Sequence, residues 1–246
     1  MGGRAAGGDG AAVSYRLITA NRNYSSWSLR PWLLMTALGI PFDDRIEPFV
    51  TLNNYEAFRA FSPTGQVPVL IDGDRTVWDS LGIVMYLAER HAGVWPADAA
   101  ARGWAMCATA EMHGGFAALR SERTMTVGQR ITPAGGSPAL ARDVARLGAL
   151  WAEGLERFGG PWLAGPDFTA VDAFYAPVAF RVRTYGINVG EAGARWVATM
   201  LAHPAMQAWE HAALAETFRE EGHEAEAAAT GTVTADYRAV SGTFQA

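Results

Sequence analysis

The chain has 246 residues, enough for one large domain or two of modest size. Half of the residues are hydrophobic and 18% are charged, so the composition excludes a disordered chain. Twenty basic and 25 acidic residues give a net charge of −5, which excludes the strongly basic surface typical of nucleic-acid-binding proteins.

Reactive side chains are few. Cys107 is the single cysteine, so the chain can form neither an internal disulfide nor a Cys-rich zinc site. All 20 basic residues are arginines, and the lack of lysine excludes a Schiff-base enzyme and a P-loop ATPase. The five histidines show no metal-binding spacing, so we expect no metal. Any thiol chemistry must use a thiol from outside the chain.

Residues 1–13 are rich in glycine and alanine and lack the apolar middle of a signal peptide. No apolar run approaches the length that a membrane-spanning helix needs. We therefore expect a flexible leader on a cytoplasmic protein.

Residues 14–94 form a predicted small α/β domain, because segments of strand and helix periodicity alternate. An Asp72-Gly73 turn joins two short strands as a hairpin. In chain order we predict a strand over 14–20, a polar loop over 21–28, a helix over 31–38, a strand over 41–50, a short helix over 55–61, strands over 67–71 and 76–78, and a helix over 80–92.

Residues 98–220 form a predicted all-helical domain, because Ala-rich stretches of helical period replace the strand signals after Trp95. The first helix should run over 100–120, with two glycines at 114 and 115 that loosen or kink it, and Ser137-Pro138 should begin the next. The other predicted helices start at Thr169, Glu191 and Pro204. We assign no fold to the tail over 221–246.

Three short motifs of the first domain occur in a characteristic order. They are Ser25-Ser26-Trp27-Ser28 before the first helix, Val67-Pro68-Val69-Leu70 before the hairpin, and Asp79-Ser80 at the start of the next helix. Together with the helical second half, they resemble a cytosolic glutathione transferase of the serine type. The stretch SSWSLRPWLLMTALGI is similar to the zeta-class pattern, with Trp27 where that pattern has a cysteine.

The resemblance implies a thioredoxin-like N-terminal domain followed by a helical-bundle C-terminal domain, with glutathione as co-substrate. It also implies a homodimer that conjugates glutathione to small electrophiles in detoxification, with no nucleic-acid or membrane partner. Nine tryptophans add a weak argument for the homodimer, because aromatic residues are enriched at interface cores.

The resemblance assigns the catalytic position to Ser25, with Ser26 beside it. A free thiol has a pKa near about 8.5, so the site must stabilise the thiolate. A hydrogen bond to a charged group contributes about 1.5 to 3 kcal/mol, enough to lower that pKa by about one to two units. Serine is too weak an acid to act as the base, so it would donate a hydrogen bond to sulfur. Without the resemblance, helix capping and turn formation are the better explanation of these serines.

The resemblance places the glutathione peptide against a cis Val67-Pro68 bond, where the Val67 backbone pairs with the cysteinyl part. Gln66 would reach the glycyl carboxylate, although a surface glutamine is an equally good interpretation. Ser80 and the helix start would bind the γ-glutamyl carboxylate, and Asp79 its ammonium group. The family usually has Glu at the position of Asp79. An ordinary N-cap is the alternative for that pair.

The second domain should supply the wall for the electrophile, together with Trp27. Met112, Phe116 and Arg120 share one helical stripe in a segment that resembles EMH-x-GF of some bacterial glutathione transferases. The alternative is that the apolar members of the stripe belong to the core, and that His113 is a satisfied structural partner. Three functions stay open: a transferase, a glutathione-dependent isomerase or peroxide/disulfide reductase, and a non-catalytic binding protein.

Overall fold

The computed structural model describes residues 15–51 and 54–239. The predicted leader over 1–13 and the last residues of the tail lie outside this part of the chain. The first domain contains β1 (Tyr15–Thr19), α1 (Ser26–Ala37), β2 (Phe42–Ile46), α2 (Tyr55–Phe58), β3 (Val69–Asp72), β4 (Arg75–Val77) and α3 (Ser80–Ala88).

The sheet of the first domain has the strand order β2-β1-β3-β4. β1 is parallel to β2 and antiparallel to β3, and β3 is antiparallel to β4. The predicted hairpin is confirmed: Asp72 pairs with Arg75, and Gly73 adopts a φ of 60° in the turn between them. This is the predicted thioredoxin-like arrangement, and it brings the loop before α1 and the segment before β3 to the same edge of the sheet.

The second half is mainly helical, as predicted. It contains α4 (Ala99–Gly114), α5 (Ala117–Glu122), β5 (Gln129–Pro133), α6 (Pro138–Phe158), α7 (Ala170–Tyr185), α8 (Gly190–Ala202), α9 (Pro204–Ala215), α10 (Glu221–Ala229) and β6 (Gly231–Asp236). The single kinked helix expected over 100–120 is instead two helices, because the chain leaves helical geometry at Gly115 and Phe116 between α4 and α5. Ser137 caps α6, because its Oγ accepts a hydrogen bond from the Leu140 N–H at 3.0 Å.

Two strands in the second half differ from the all-helical expectation. β5 and β6 form a separate antiparallel pair, with Gln129 opposite Asp236. The tail, to which we assigned no fold, contributes both α10 and β6. The pairing joins segments about a hundred residues apart, so no local periodicity in the sequence predicts it.

The two halves share a continuous core centred on α7, which packs against α1 and α4. Asp172 is fully buried at the start of α7 and accepts hydrogen bonds from the Leu163 N–H at 2.9 Å, the Thr169 N–H at 3.1 Å and the Trp196 Nε1–H at 3.0 Å. These bonds fix the N-terminus of α7.

No helix among the described residues is both long and apolar enough to cross a membrane.

Candidate functional site

A cleft of about 550 Å³ lies where the first domain meets α5, α7 and α10. Its volume is in the range of pockets that bind small molecules. The predicted site residues that line it are Ser25, Ser26, Trp27, Gln66, Val67, Pro68, Asp79 and Arg120. The structure therefore brings together residues from all three motifs of the first domain.

Ser25 precedes α1 at the position of an N-cap residue, but its side chain makes no capping hydrogen bond. Its hydroxyl donates instead to the Ser28 Oγ at 2.7 Å, and the Ser28 Oγ also accepts from the Ala20 N–H at 3.3 Å. Both serines are buried, and Ser25 reaches the cleft. Helix capping by Ser25, the alternative raised by the sequence, therefore does not describe this side chain.

The segment before β3 forms the opposite side of the cleft. The Val67–Pro68 peptide bond is cis, as the resemblance implies. The exposed Gln66 has its backbone fixed by Ser62, whose Oγ donates to the Gln66 carbonyl at 2.6 Å and accepts from its N–H at 3.1 Å. The Gln66 side chain is thus left at the rim of the cleft.

Asp79 caps α3, because its Oδ1 accepts from the Leu81 N–H at 2.9 Å. Its Oδ2 lies 3.3 Å from the Nε2 of His113, which links the two domains across the cleft. Ser80 is fully buried, and its hydroxyl has no hydrogen-bond partner among the described residues. Ser80 does not line the cleft in this conformation, although the start of its helix does.

Two guanidinium groups lie against the ring of Trp27, which lines the cleft together with Arg120. The Arg30 guanidinium carbon lies 4.0 Å from the Trp27 ring centroid, and that of Arg120 lies 4.7 Å from it. Burial lowers the pKa of both arginines, and the charge of Arg120 lowers that of Arg30 further. Burial also lowers the pKa of His113, with smaller contributions from Arg30 and Arg120.

Met112 and Phe116 do not line the cleft, contrary to the expectation from the stripe. Both are buried in the shared core, where the Phe116 ring meets the Tyr175 ring edge-on at 6.3 Å. Phe116 has a φ of 58°, so the chain reorients between α4 and α5, and the three residues do not continue one helical face. Of the three residues of this stripe, Arg120 is the one that lines the cleft as expected.

Part of the wall of the cleft comes from α10 and α7, whose residues were not among those predicted from the sequence. The His223 ring stacks on Phe49 at 4.8 Å and on Tyr24 at 4.9 Å, and the Tyr24 hydroxyl donates to Glu224 at 2.5 Å. Burial raises the pKa of Tyr24 well above its usual value. Arg181 of α7 also lines the cleft. Its sequence signal was a charged residue in the middle of a mostly apolar helix, between Phe180 and Val182.

Family models match both halves of the chain. The model of the glutathione S-transferase N-terminal domain matches residues 24–90, and that of the C-terminal domain matches residues 134–212. The two models occur in order and together span more than half of the sequence. The chain belongs to the glutathione S-transferase family. The cleft lies where the residues matched by the first model meet the second half of this family fold.

Relatives of known function match parts of the chain. The dichloromethane dehalogenase of Methylophilus leisingeri is 46% identical over 54 residues, covering 21% of this chain and 20% of that protein. A zeta-class glutathione S-transferase of Euphorbia esula is 25% identical over 123 residues, covering 49% of this chain and 55% of that protein. The chain thus spans about a fifth of this dehalogenase and about half of the zeta-class protein.

Solved structures resemble the whole fold. A glutathione transferase homolog from Burkholderia with bound glutathione has a TM-score of 0.59 and 20% identity, covering 80% of this chain and 96% of that one. The yeast protein Ure2p in complex with glutathione has a TM-score of 0.62 and 18% identity, covering 81% of this chain and 99% of that one. At these identities the likeness establishes the fold.

Proposed function

We propose that this protein transfers the glutathione thiolate to a small electrophile, with Ser25 as the hydrogen-bond donor to sulfur. The observation that carries the proposal is the position of Ser25, which lines the cleft at the start of α1 together with Val67 and Pro68. In a substitution the sulfur forms a bond to carbon, and the leaving group departs with the electron pair of the broken bond.

The contact between Ser25 and Ser28 suits this role, because a hydroxyl both donates and accepts. In the structure Ser25 donates to Ser28. When a thiolate is bound, Ser28 can rotate its hydrogen toward Ser25, which then donates outward to sulfur. The Ala20 N–H bond holds the Ser28 oxygen in place in both arrangements. The N-terminus of α1 adds a favourable field for the negative charge.

The remaining cleft residues would hold the peptide. We propose that the Val67 backbone pairs with the cysteinyl residue beside Pro68, and that Gln66 binds the glycyl carboxylate. The γ-glutamyl end would meet Asp79 through its ammonium group and the start of α3 through its carboxylate. Ser80 takes part only if its buried hydroxyl, which has no partner among the described residues, turns toward the ligand.

A glutathione-dependent isomerase or reductase on the same site is the second candidate, and the match to a zeta-class relative favours the isomerase. The matches to dichloromethane dehalogenases favour substitution at a halogen-bearing carbon. A non-catalytic glutathione-binding protein is the third candidate. The family resemblance is also the basis for proposing a cytoplasmic homodimer that acts in detoxification.

Retention on immobilised glutathione tests the proposal first. We expect the protein to be retained and to be eluted by free glutathione. Turnover of aryl halides, with release of halide, would support the transferase. Binding with turnover only of a cis-alkene, peroxide or mixed-disulfide substrate would support the second candidate, and binding without any turnover would support the third. Failure to bind glutathione would contradict all three.

A further inference from the structure

Arg30 is a buried cation without a partner. Its side chain is completely buried in α1, and none of its three guanidinium nitrogens has a hydrogen-bond partner among the described residues. It is held between the rings of Trp27 at 4.0 Å and Phe174 at 4.8 Å. Aromatic faces offset part of the cost of burying a charge, but an unpaired buried charge still destabilises the fold.

Two further arginines beside Arg30 line the cleft. Arg120 donates from Nε to the Gly115 carbonyl at 2.9 Å and from Nη2 to the Met112 carbonyl, which leaves Nη1 without a partner in the described part of the chain. Arg181 is buried and donates from Nε to the Arg123 carbonyl at 2.7 Å.

The second donor of Arg181 is Nη1, which bonds the Pro177 carbonyl at 3.3 Å, so its Nη2 likewise has no partner in that part. Each arginine that lines the cleft therefore keeps one guanidinium nitrogen available to a ligand.

The cluster formed by Arg30, Arg120 and Arg181 has an excess of positive charge. None of the three forms an ion pair with a carboxylate among residues 15–51 and 54–239. The carboxylates on the cleft are Asp79, which faces His113, and Glu226 of α10. Arg120 and Arg181 thus line a cleft in which Asp79 already has a partner, and the fully buried Arg30 adds its positive charge from behind the lining residues.

We propose that this part of the cleft binds electrophiles that carry a carboxylate, with Arg120 and Arg181 contacting the anion and Arg30 adding its charge from beside Trp27. Guanidinium groups match the planar geometry of a carboxylate and bind it through paired hydrogen bonds. The inference rests on the proposed function and names its substrate class. For an aryl chloride, a carbon–sulfur bond forms, the carbon–chlorine bond breaks, and chloride leaves with the electron pair.

Two conjugates that differ only in charge test the proposal: S-(4-carboxy-2-nitrophenyl)glutathione and S-(4-carbamoyl-2-nitrophenyl)glutathione. We expect the full-length protein to bind the carboxylate conjugate more tightly. Arg120→Gln keeps donors for the backbone carbonyls and removes the charge. It should weaken binding of the carboxylate conjugate about tenfold and that of the carbamoyl conjugate by a clearly smaller factor, so that the preference of the wild type for the carboxylate is lost.

Arg120→Lys keeps the charge and should retain most of the preference. Arg102→Gln is the matched control, because Arg102 also donates to backbone carbonyls, those of Pro96 and Ala97, and does not line the cleft. Equal binding of both conjugates by the wild type would overturn the inference and leave the proposed function intact. An equal loss of both conjugates in Arg120→Gln would also overturn it. Failure of the wild type to bind free glutathione would overturn the proposed function and this inference with it.

Discussion

At the scale of single residues, two buried arginines of the first domain make opposite contributions to stability. Arg22 pairs with Asp44 and lies over the Trp32 and Trp209 rings at 4.8 and 4.3 Å. Arg30 also lies against two aromatic rings but forms no ion pair within residues 15–51 and 54–239. Removing one partner of a buried pair leaves the other charge unpaired, whereas removing an unpaired charge relieves its desolvation.

We therefore predict that Arg30→Met raises the free energy of unfolding by about 1 kcal/mol or more, while Arg22→Met lowers it by about 3 kcal/mol. Urea denaturation of the ligand-free protein measures both. A marked loss of stability in Arg30→Met would show that the buried guanidinium is structural. In that case its charge is not kept for a ligand.

Asp172 gives a prediction about pH. Burial raises its pKa to about 6, and the hydrogen bonds from Leu163, Trp196 and Thr169 oppose that rise. Because the folded state holds this proton more tightly than the unfolded chain does, the contribution of Asp172 to stability is present at low pH and is lost as pH rises through about 6. Asp172→Asn cannot titrate and places an amide donor against other donors.

The stability difference between wild type and Asp172→Asn should therefore be greater at pH 5 than at pH 7.5, by about 1 kcal/mol. Urea denaturation at the two pH values measures this difference. Subtracting the free energy of unfolding of Asp172→Asn from that of the wild type at each pH cancels the contributions of the other carboxylates, which titrate in both proteins. A constant difference across this range would show that Asp172 is not protonated in the folded protein below pH 6.

At the scale of elements, Glu224 supplies the hydrogen-bonded contact of α10 with Tyr24 and Arg238, beside the stacking of His223 on Phe49 and Tyr24. The Glu224 carboxylate accepts from the Tyr24 hydroxyl at 2.5 Å and from the buried Arg238 guanidinium at 2.5 and 2.8 Å. Arg238 also pairs with Asp236 of β6. This network holds one wall of the cleft in place.

We predict that Glu224→Gln increases amide hydrogen exchange in α10 and β6 by about tenfold or more and leaves α6 unchanged. Glu221→Gln, an exposed position in the same helix, is the control and should exchange like the wild type. Mass spectrometry of exchanged peptides measures both variants. Unchanged exchange of α10 in Glu224→Gln would show that β6 pairing and the stacking of His223 hold the tail without this carboxylate.

The elements that could be predicted well from the sequence are those whose ends are set by residues next to them in the chain. Asp72-Gly73 marks the hairpin, and Ser137 with Pro138 marks the start of α6, because these residues impose turn and cap geometry by themselves. The β5–β6 pair and the position of α10 depend on contacts between distant segments, which leave no local pattern. The core placement of Phe116 depends on a backbone turn that the glycines permit but do not specify.

The same distinction applies to the candidate site. Ser25, Val67 and Asp79 could be found because each belongs to a short motif next to a helix or strand end. Arg181 and His223 could not be found, because they reach the cleft from separate helices through tertiary packing. Arg120 reaches the cleft on α5, after the chain has changed direction, and not as part of the stripe that suggested it.

At the scale of the whole molecule, eight large apolar side chains are exposed among the described residues, and three of them lie on α3, on α4 or just before α3. Trp78 after β4 is 44% exposed, Met85 on α3 is 59% exposed, and Met106 on α4 is 44% exposed. Exposed apolar residues of this size favour an interface. They support the proposed homodimer.

We predict that light scattering of the wild type gives twice the chain mass of 26.4 kDa, and that Met85→Glu gives the monomer mass. A charge at this position would have to be desolvated in the dimer, which is costly. Val233→Glu changes an exposed side chain of β6 and should remain dimeric. A monomeric wild type at micromolar concentration would contradict the proposal.

The most direct test of the whole account is titration of the glutathione thiol in the complex, followed by the ultraviolet absorbance of the thiolate. Ser25→Ala should raise the pKa of the bound thiol by about one to two units, the effect of one lost hydrogen bond to a charged acceptor. Ser26→Ala should leave that pKa unchanged and at most weaken binding. If Ser26→Ala carries the shift and Ser25→Ala titrates like the wild type, the assignment moves by one residue. If neither variant changes the pKa of the bound thiol, a serine-type mechanism is contradicted.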